Sequence, residues 1–312
     1  HVFLFMACVD YFKTEKKVNK ILLFCIGAGF FIGLNGIVQY IIGVDMIRDR
    51  HIDPLDYLHR ISSSFKHSND FGAYLIIVLS VCCGLFFSKL RPFKQRILLL
   101  VLGGVLSYCL IFTQSRGAWL GFIVSLFVLA ILKSRKLLVV FLILAVLSPF
   151  VLPDFVKQRF SDFTTINQST GTVWERLKLW QGTAAMIKEH PFLGFGTNTY
   201  TKNFPSYKPV DYADVRYTHN SYLQMAAEIG IVGSGVLIVF LILLLITAFK
   251  GVSYCPKGNF RDLYIGLIAG MTGFLFHCGV DTHFFSVTLS AFMFFCLGLI
   301  YSMRTIVYEK KA

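Results

Sequence analysis

Long apolar runs separated by short polar connections dominate the chain. A spanning helix needs roughly 20 mostly apolar residues, and by that measure the runs are His1–Phe12, Val18–Val44, Phe71–Ser88, Ile97–Phe112, Ala118–Leu132, Leu137–Leu152, Leu223–Phe249, Leu263–Cys278 and Phe284–Met303. The pattern predicts about nine helical passes. Transmembrane hairpins would need period-two alternation, and runs such as LIIVLSVCCGLFF and FLILAVLSPF are apolar on both faces. One stretch breaks the rhythm. Residues 153–222 are long, polar and aromatic, and they divide the chain into an N-terminal set of passes (1–152), a large loop (153–222) and a C-terminal set (223–312).

Composition adds to this pattern without changing it. Hydrophobic residues make up 55% of the chain and charged residues 15%, with a mean hydropathy of +0.65. A single water-soluble core cannot absorb that much apolar surface, so the class is all-α and polytopic in a membrane. The first residues lie inside an apolar run and lack an initiator Met, so the expectation is a cut end with an odd number of further helices upstream. The eight cysteines form no CxxC pair and fall mostly in apolar runs, where cysteine behaves as a small hydrophobe.

The formal charge of +13 is gathered in short connections, not on an aromatic-interleaved basic surface, which argues for membrane orientation over nucleic-acid binding. Taken alternately, one set of connections carries Lys13, Lys16, Lys17 and Lys20, then Lys89, Arg91, Lys94 and Arg96, then Lys133, Arg135 and Lys136, then Lys250, Lys257 and Arg261, and the tail Arg304, Lys310 and Lys311. This set should be cytoplasmic. The other set then faces outward, and it contains Arg60, Arg116, Arg176, Arg216, His219, Asp281 and His283.

Within the long loop, Val173–His190 places Trp174, Leu177, Trp180, Ala184, Ala185 and Ile187 at three- and four-residue spacings. That predicts an amphipathic helix lying in the interface with its tryptophans at headgroup level. Pro191 stops it and FLGFGTN makes a glycine-permitted turn. In THNSYLQ, Asn220 or Ser221 begins the next helix.

The candidate chemistry gathers on the outer side. Arg116 sits at the edge of apolar sequence, where a charge normally has a functional partner, although snorkelling to headgroups is the plainer account. Arg176 is a headgroup contact or, with a second arginine, a fork for diphosphate oxygens. His219 is either a carbonyl-bonded residue near a cap or a general base for a hydroxyl. His277, Asp281 and His283 form a set able to hold a metal, but they lack a tight helical pair such as HExxH and serve more naturally to cap helices or orient a partner, with the tuning of His219 by Asp281 as a further reading. PFLGFG has no Lys-Ser/Thr, which disfavours ATP, and no GxSxG elbow occurs.

FTQSRGAWLGF, ERLKLWQGTAAMIKEHPFLGFGTNTY and THNSYLQMAAEIGIVG, in that order, resemble the O-antigen ligase and polymerase superfamily of bacterial envelopes. The resemblance runs from about Arg60 to Gly298. It implies a GT-C-like helical bundle in the inner membrane with one long periplasmic loop. Such a glycosyltransferase moves a glycan from undecaprenyl diphosphate to an acceptor hydroxyl with inversion. It uses no metal, nucleotide or other cofactor.

By that resemblance Arg116 and Arg176 hold the lipid diphosphate and His219 activates the acceptor. Arg216, Arg60, Asn220, Trp180, Asp281 and His283 contribute to substrate binding. Partners would be the lipid-linked donor, lipid A core or another glycan acceptor, and membrane lipids, with no nucleic acid. One departure is Glu175 where the family has glycine, a carboxylate that either weakens phosphate binding or holds Arg176. A repeat-unit polymerase and a lipid-linked sugar flippase are the alternatives. Transporters place ionisable residues at mid-membrane on broken helices, and these apolar runs are nearly free of charge.

Overall fold

The computed structural model describes residues 1–52, 59–88, 91–134, 137, 139, 143, 172–208 and 217–310. They are helical, with no strand among the described residues. Two compact units are present. The first comprises residues 1–152, 244–277 and 287–312, and the second residues 153–243 and 278–286.

In chain order the helices are α1 (Val2–Tyr11), α2 (Glu15–Ile42), α3 (Ser68–Phe86), α4 (Phe93–Phe112), α5 (Arg116–Lys133), α6 (Thr172–Glu189), α7 (Tyr200–Asn203), α8 (Ser221–Tyr254), α9 (Asn259–Cys278) and α10 (Val287–Glu309). Six of them, α2, α3, α4, α5, α8 and α10, are long and apolar enough to cross a membrane. Two of the expected passes differ. Val2–Tyr11 is short, and Asn259–Cys278 has the length but opens on Arg261 and Asp262 and is not among the six. The pass expected at 137–152 lies almost wholly outside the described residues, as do 153–171 of the long loop.

Local chemistry sets the helix ends of the first unit. Thr14 accepts from the Lys17 N–H to start α2, and Gly43, at φ 81°, ends it by donating to the Gln39 carbonyl. Ser115 caps α5 by accepting from the Ala118 N–H. Among the six, α3 is the most enclosed. A Cβ on Gly84 would lie 2.5 Å from the Asp262 carbonyl oxygen, so glycine lets α3 and α9 touch backbone to backbone.

Polar contacts tie the two ends of this unit. At one end Lys133 donates to both Asp262 Oδ1 and the Gly84 carbonyl at 2.6 Å, Arg96 to the Ser88 carbonyl, and Lys310 pairs with Glu15. At the other end Arg60 donates to the Thr113 carbonyl at 2.9 Å and to Asn69 at 2.7 Å.

The second unit is built on a small core of Leu179, Met186, Tyr200, Phe204 and Ala227, flanked by Trp180, Ile187, Phe195 and Tyr207. Helix α6 supplies one side and the start of α8 the other. After two turns α8 breaks at Gly230, which sits at φ 71°, ψ 173°. Its neighbours explain the break: Pro191 O accepts from Ile231 N–H at 2.7 Å, and a side chain on Gly230 would collide with the Phe192 carbonyl. The FLGFG turn therefore occupies the kink of α8. Phe195 and Gly196 donate to the Ala227 and Glu228 carbonyls that the break leaves unpaired within the helix.

Candidate functional site

The site is assembled in the second unit around the first turn of α8. Asn220 caps that turn, its Oδ1 accepting from the Tyr222 and Leu223 N–H groups at 3.0 Å each. Ser221 ties it to the turn 281–284: the Ser221 N–H and Oγ both donate to the Asp281 carbonyl, and Oγ accepts from the His283 N–H at 2.9 Å. Asp281, at the head of that turn, is thereby fixed beside His219.

His219 occupies the left-handed region at φ 52°. For a non-glycine residue such a conformation costs on the order of 1–3 kcal/mol and persists only where the surroundings impose it. They do so through Thr218, which is fully buried. Its carbonyl accepts from the Trp180 indole N–H at 3.1 Å, its N–H donates to Gln224 Oε1 at 3.3 Å, and its hydroxyl donates to the Asn220 carbonyl at 3.0 Å. The Trp180 indole is thus turned to this turn of backbone and to the core beside α6. The expected headgroup anchor is a structural brace, because a buried carbonyl has claimed its only donor.

Asp281 joins the two candidate residues of this unit. Its Oδ1 lies 3.1 Å from His219 Nδ1, and its Oδ2 lies 3.8 Å from Arg176. Burial would raise the Asp281 carboxyl, but the hydrogen bond from His219 and the charges of His283, His219 and Arg176 hold it well below the usual carboxylate range. An ionised carboxylate only accepts, so in the neutral ring the shared proton belongs to His219 Nδ1 and Nε2 is the atom left to take a proton. Only 10% of the Asp281 side chain is exposed, against 42% for His219 and 31% for Arg176. The arrangement is a buried anion orienting an accessible imidazole, with a guanidinium on its other oxygen.

The other expected site residues fall out as follows. His283 is buried beside Asp281, with ligand atoms of the two within 4.8 Å, so the pair could contribute to a metal centre. Asp281 directs its oxygens to His219 and Arg176, and that use of the carboxylate needs no ion. Arg116 is the first residue of α5, half-buried, and Arg60 is bonded to Thr113 and Asn69; both belong to the first unit. Arg216 lies outside the described residues.

Three residues escaped the sequence reading. Ser221 was noted only as a helix start, and Gln224 and Glu228 not at all. Glu228 is buried and accepts from the Asn198 N–H at 2.6 Å, the Tyr200 N–H at 3.3 Å and the Gln224 amide at 3.4 Å. The signal was present: Asn220, Gln224 and Glu228 recur every fourth residue, a polar stripe on one face of an otherwise apolar helix.

Comparison with known proteins agrees with the motifs. Residues 98–240 match the family described as O-Antigen ligase. An O-antigen ligase of Salmonella typhimurium is 25% identical over 306 residues, covering 84% of this chain and 70% of its own. A ComP-specific O-oligosaccharyltransferase of Acinetobacter baylyi is 24% identical over 290 residues, covering 86% of this chain; the chain spans 48% of that relative's length. Among solved structures, a chain of a peptidoglycan synthase complex overlaps 98% of this one and 96% of its own length at a TM-score of 0.47 and 16% identity, a weak likeness.

Proposed function

We infer, for a chain that carries the O-antigen ligase family over residues 98–240 and belongs to that superfamily, a membrane glycosyltransferase acting on a lipid-linked glycan. Its donor is a glycan on undecaprenyl diphosphate and its acceptor a hydroxyl, met on the outer face of the bacterial inner membrane. The two relatives, one an O-antigen ligase and the other a ComP-specific O-oligosaccharyltransferase, support the reaction class. The observation that carries the reading is Asp281 joined at once to His219 and Arg176.

The chemistry follows from those three groups. His219 Nε2 takes the proton of the acceptor hydroxyl as its oxygen attacks the anomeric carbon, while Asp281 compensates the imidazolium that forms. The bond from that carbon to the diphosphate oxygen breaks on the opposite face, so the configuration inverts. Negative charge grows on the departing diphosphate, and Arg176 is placed to meet it with a guanidinium already fixed on one side. A loose pair of 3.8 Å with Asp281 leaves Arg176 most of its donors for phosphate.

No step needs a metal or nucleotide. Purified protein in proteoliposomes, given undecaprenyl-diphosphate glycan and a lipid A core or polypeptide acceptor with EDTA present, should release undecaprenyl diphosphate and give a product of inverted anomeric configuration. Retained configuration, or release abolished by EDTA, would refute the mechanism.

A further inference from the structure

The FLGFG turn carries a feature that the transfer chemistry does not use. Phe192 and Leu193, at its tip, are 71% and 81% exposed, an arrangement a soluble loop avoids. The turn is nevertheless held firmly. Pro191 O accepts from Ile231 N–H, Gly194 N–H donates to the His190 carbonyl, and Phe195 and Gly196 bond to the Ala227 and Glu228 carbonyls. Gly194 and Gly196 adopt φ of 67° and 105°, which only glycine takes without strain, and these turn the two apolar side chains outward.

What lies beside the tip identifies its occupant. Ile231, Val232 and Val236 follow the kink of α8 and are exposed in the same way. Glu228 is the last charge before Lys250, so the uncharged stretch of this candidate spanning helix begins at the level where Phe192 touches Gly230. Apolar residues held at the polar end of a span lie where acyl chains meet headgroups.

We propose that Phe192 and Leu193 dip into the bilayer as an interfacial anchor, continuous with the lipid-facing side of α8. The anchor fixes the depth of the turn, and through Asn198, Tyr200 and Glu228 that of the backbone bearing His219. It is a second attachment of the second unit to the membrane, made by a loop.

The proposal is independent of the transfer reading and is tested without an activity assay. A photoreactive benzoylphenylalanine is placed at 192 or at 193 in protein reconstituted into phosphatidylethanolamine and phosphatidylglycerol vesicles, with position 181, exposed on α6, as the control. Irradiation should give covalent lipid adducts at 192 and 193 in several-fold greater yield than at 181, read by mass spectrometry. Adducts joining 192 to another part of the chain or to a second protein copy, or lipid yields equal to those at 181, would overturn it. Intact mass and melting of each variant before irradiation show that the comparison is made on folded protein.

Discussion

Two buried carboxylates, one in each unit, show how differently the chain uses the same group. In the first unit Asp45 closes the loop after α2. Its oxygens accept from the Asn35 amide at 2.7 Å and from the backbone N–H groups of Ile47, Arg48 and Arg50. Asn35 and Gln39 in turn bind Met46 and Ser62 to Ser64. In the second unit Asp281 is shared between two ionisable side chains, both partly exposed, beside a residue in a left-handed conformation.

The carboxyls of both are depressed. For Asp45, burial raises the value and neutral donors, Asn35 and three N–H groups, outweigh it; for Asp281, burial is outweighed by His219, His283 and Arg176. A carboxylate satisfied by fixed dipoles is a fastener. One satisfied by partly exposed ionisable side chains is, in the proposed function, part of a reaction.

That contrast is broken most sharply by substitution at His219. His219→Ala should cost on the order of 10²–10⁴-fold in transfer rate, the span of general base catalysis, beside a stability loss of about 1–3 kcal/mol from the lost bond to Asp281. Asp281→Asn should follow at roughly 10²-fold, since an amide neither compensates the imidazolium nor enforces the tautomer. Asp45→Asn should do the reverse: about 1–3 kcal/mol of stability lost to unsatisfied donors, and an unchanged rate per folded molecule. Equal rate losses in Asp45→Asn and Asp281→Asn would erase the distinction between fastener and reaction partner.

Acid sharpens it further. Both carboxyls have folded values below the ordinary 3.8, so each contributes stability that is fully present above that value and is lost as pH falls through the folded value. Melting in detergent should therefore be insensitive to these two groups from neutrality down to about pH 4 and fall below it. Either Asn variant should flatten part of that acid decline. The smallest effect expected is at the brace: Trp180→Phe removes the donor to Thr218, costing about 1 kcal/mol of stability and a few-fold in rate with an unaltered apparent affinity for donor.

Much of this was legible from the chain. Uninterrupted apolar runs announce helices of membrane-spanning length, and six such helices are present. His219, Arg176 and Asp281 were singled out by residue type and by lying on one predicted side. The link of Asp281 to His219 was one of the readings open from sequence, but its second link to Arg176 was not, because residues 176, 219 and 281 are brought together by the Ser221 stitch and the Trp180 brace, contacts that no local spacing announces.

The polarity at the start of α9 escaped, since a threshold on apolar length blurs a helix buried among others into one exposed to lipid. Glu228 was missed for the opposite reason. It lies in a segment read as the start of a span, where its four-residue relation to Asn220 and Gln224 was the available clue.

The central claim is that Asp281 acts through His219, and a double-mutant cycle measures it. Transfer rates are compared for the wild-type chain, His219→Ala, Asp281→Asn and the double variant in proteoliposomes with the lipid-linked donor. The account predicts that Asp281→Asn costs nothing further once His219 is absent, leaving the double variant at the residual rate of His219→Ala. Losses that multiply would mean that the carboxylate and the imidazole work independently, contrary to the account.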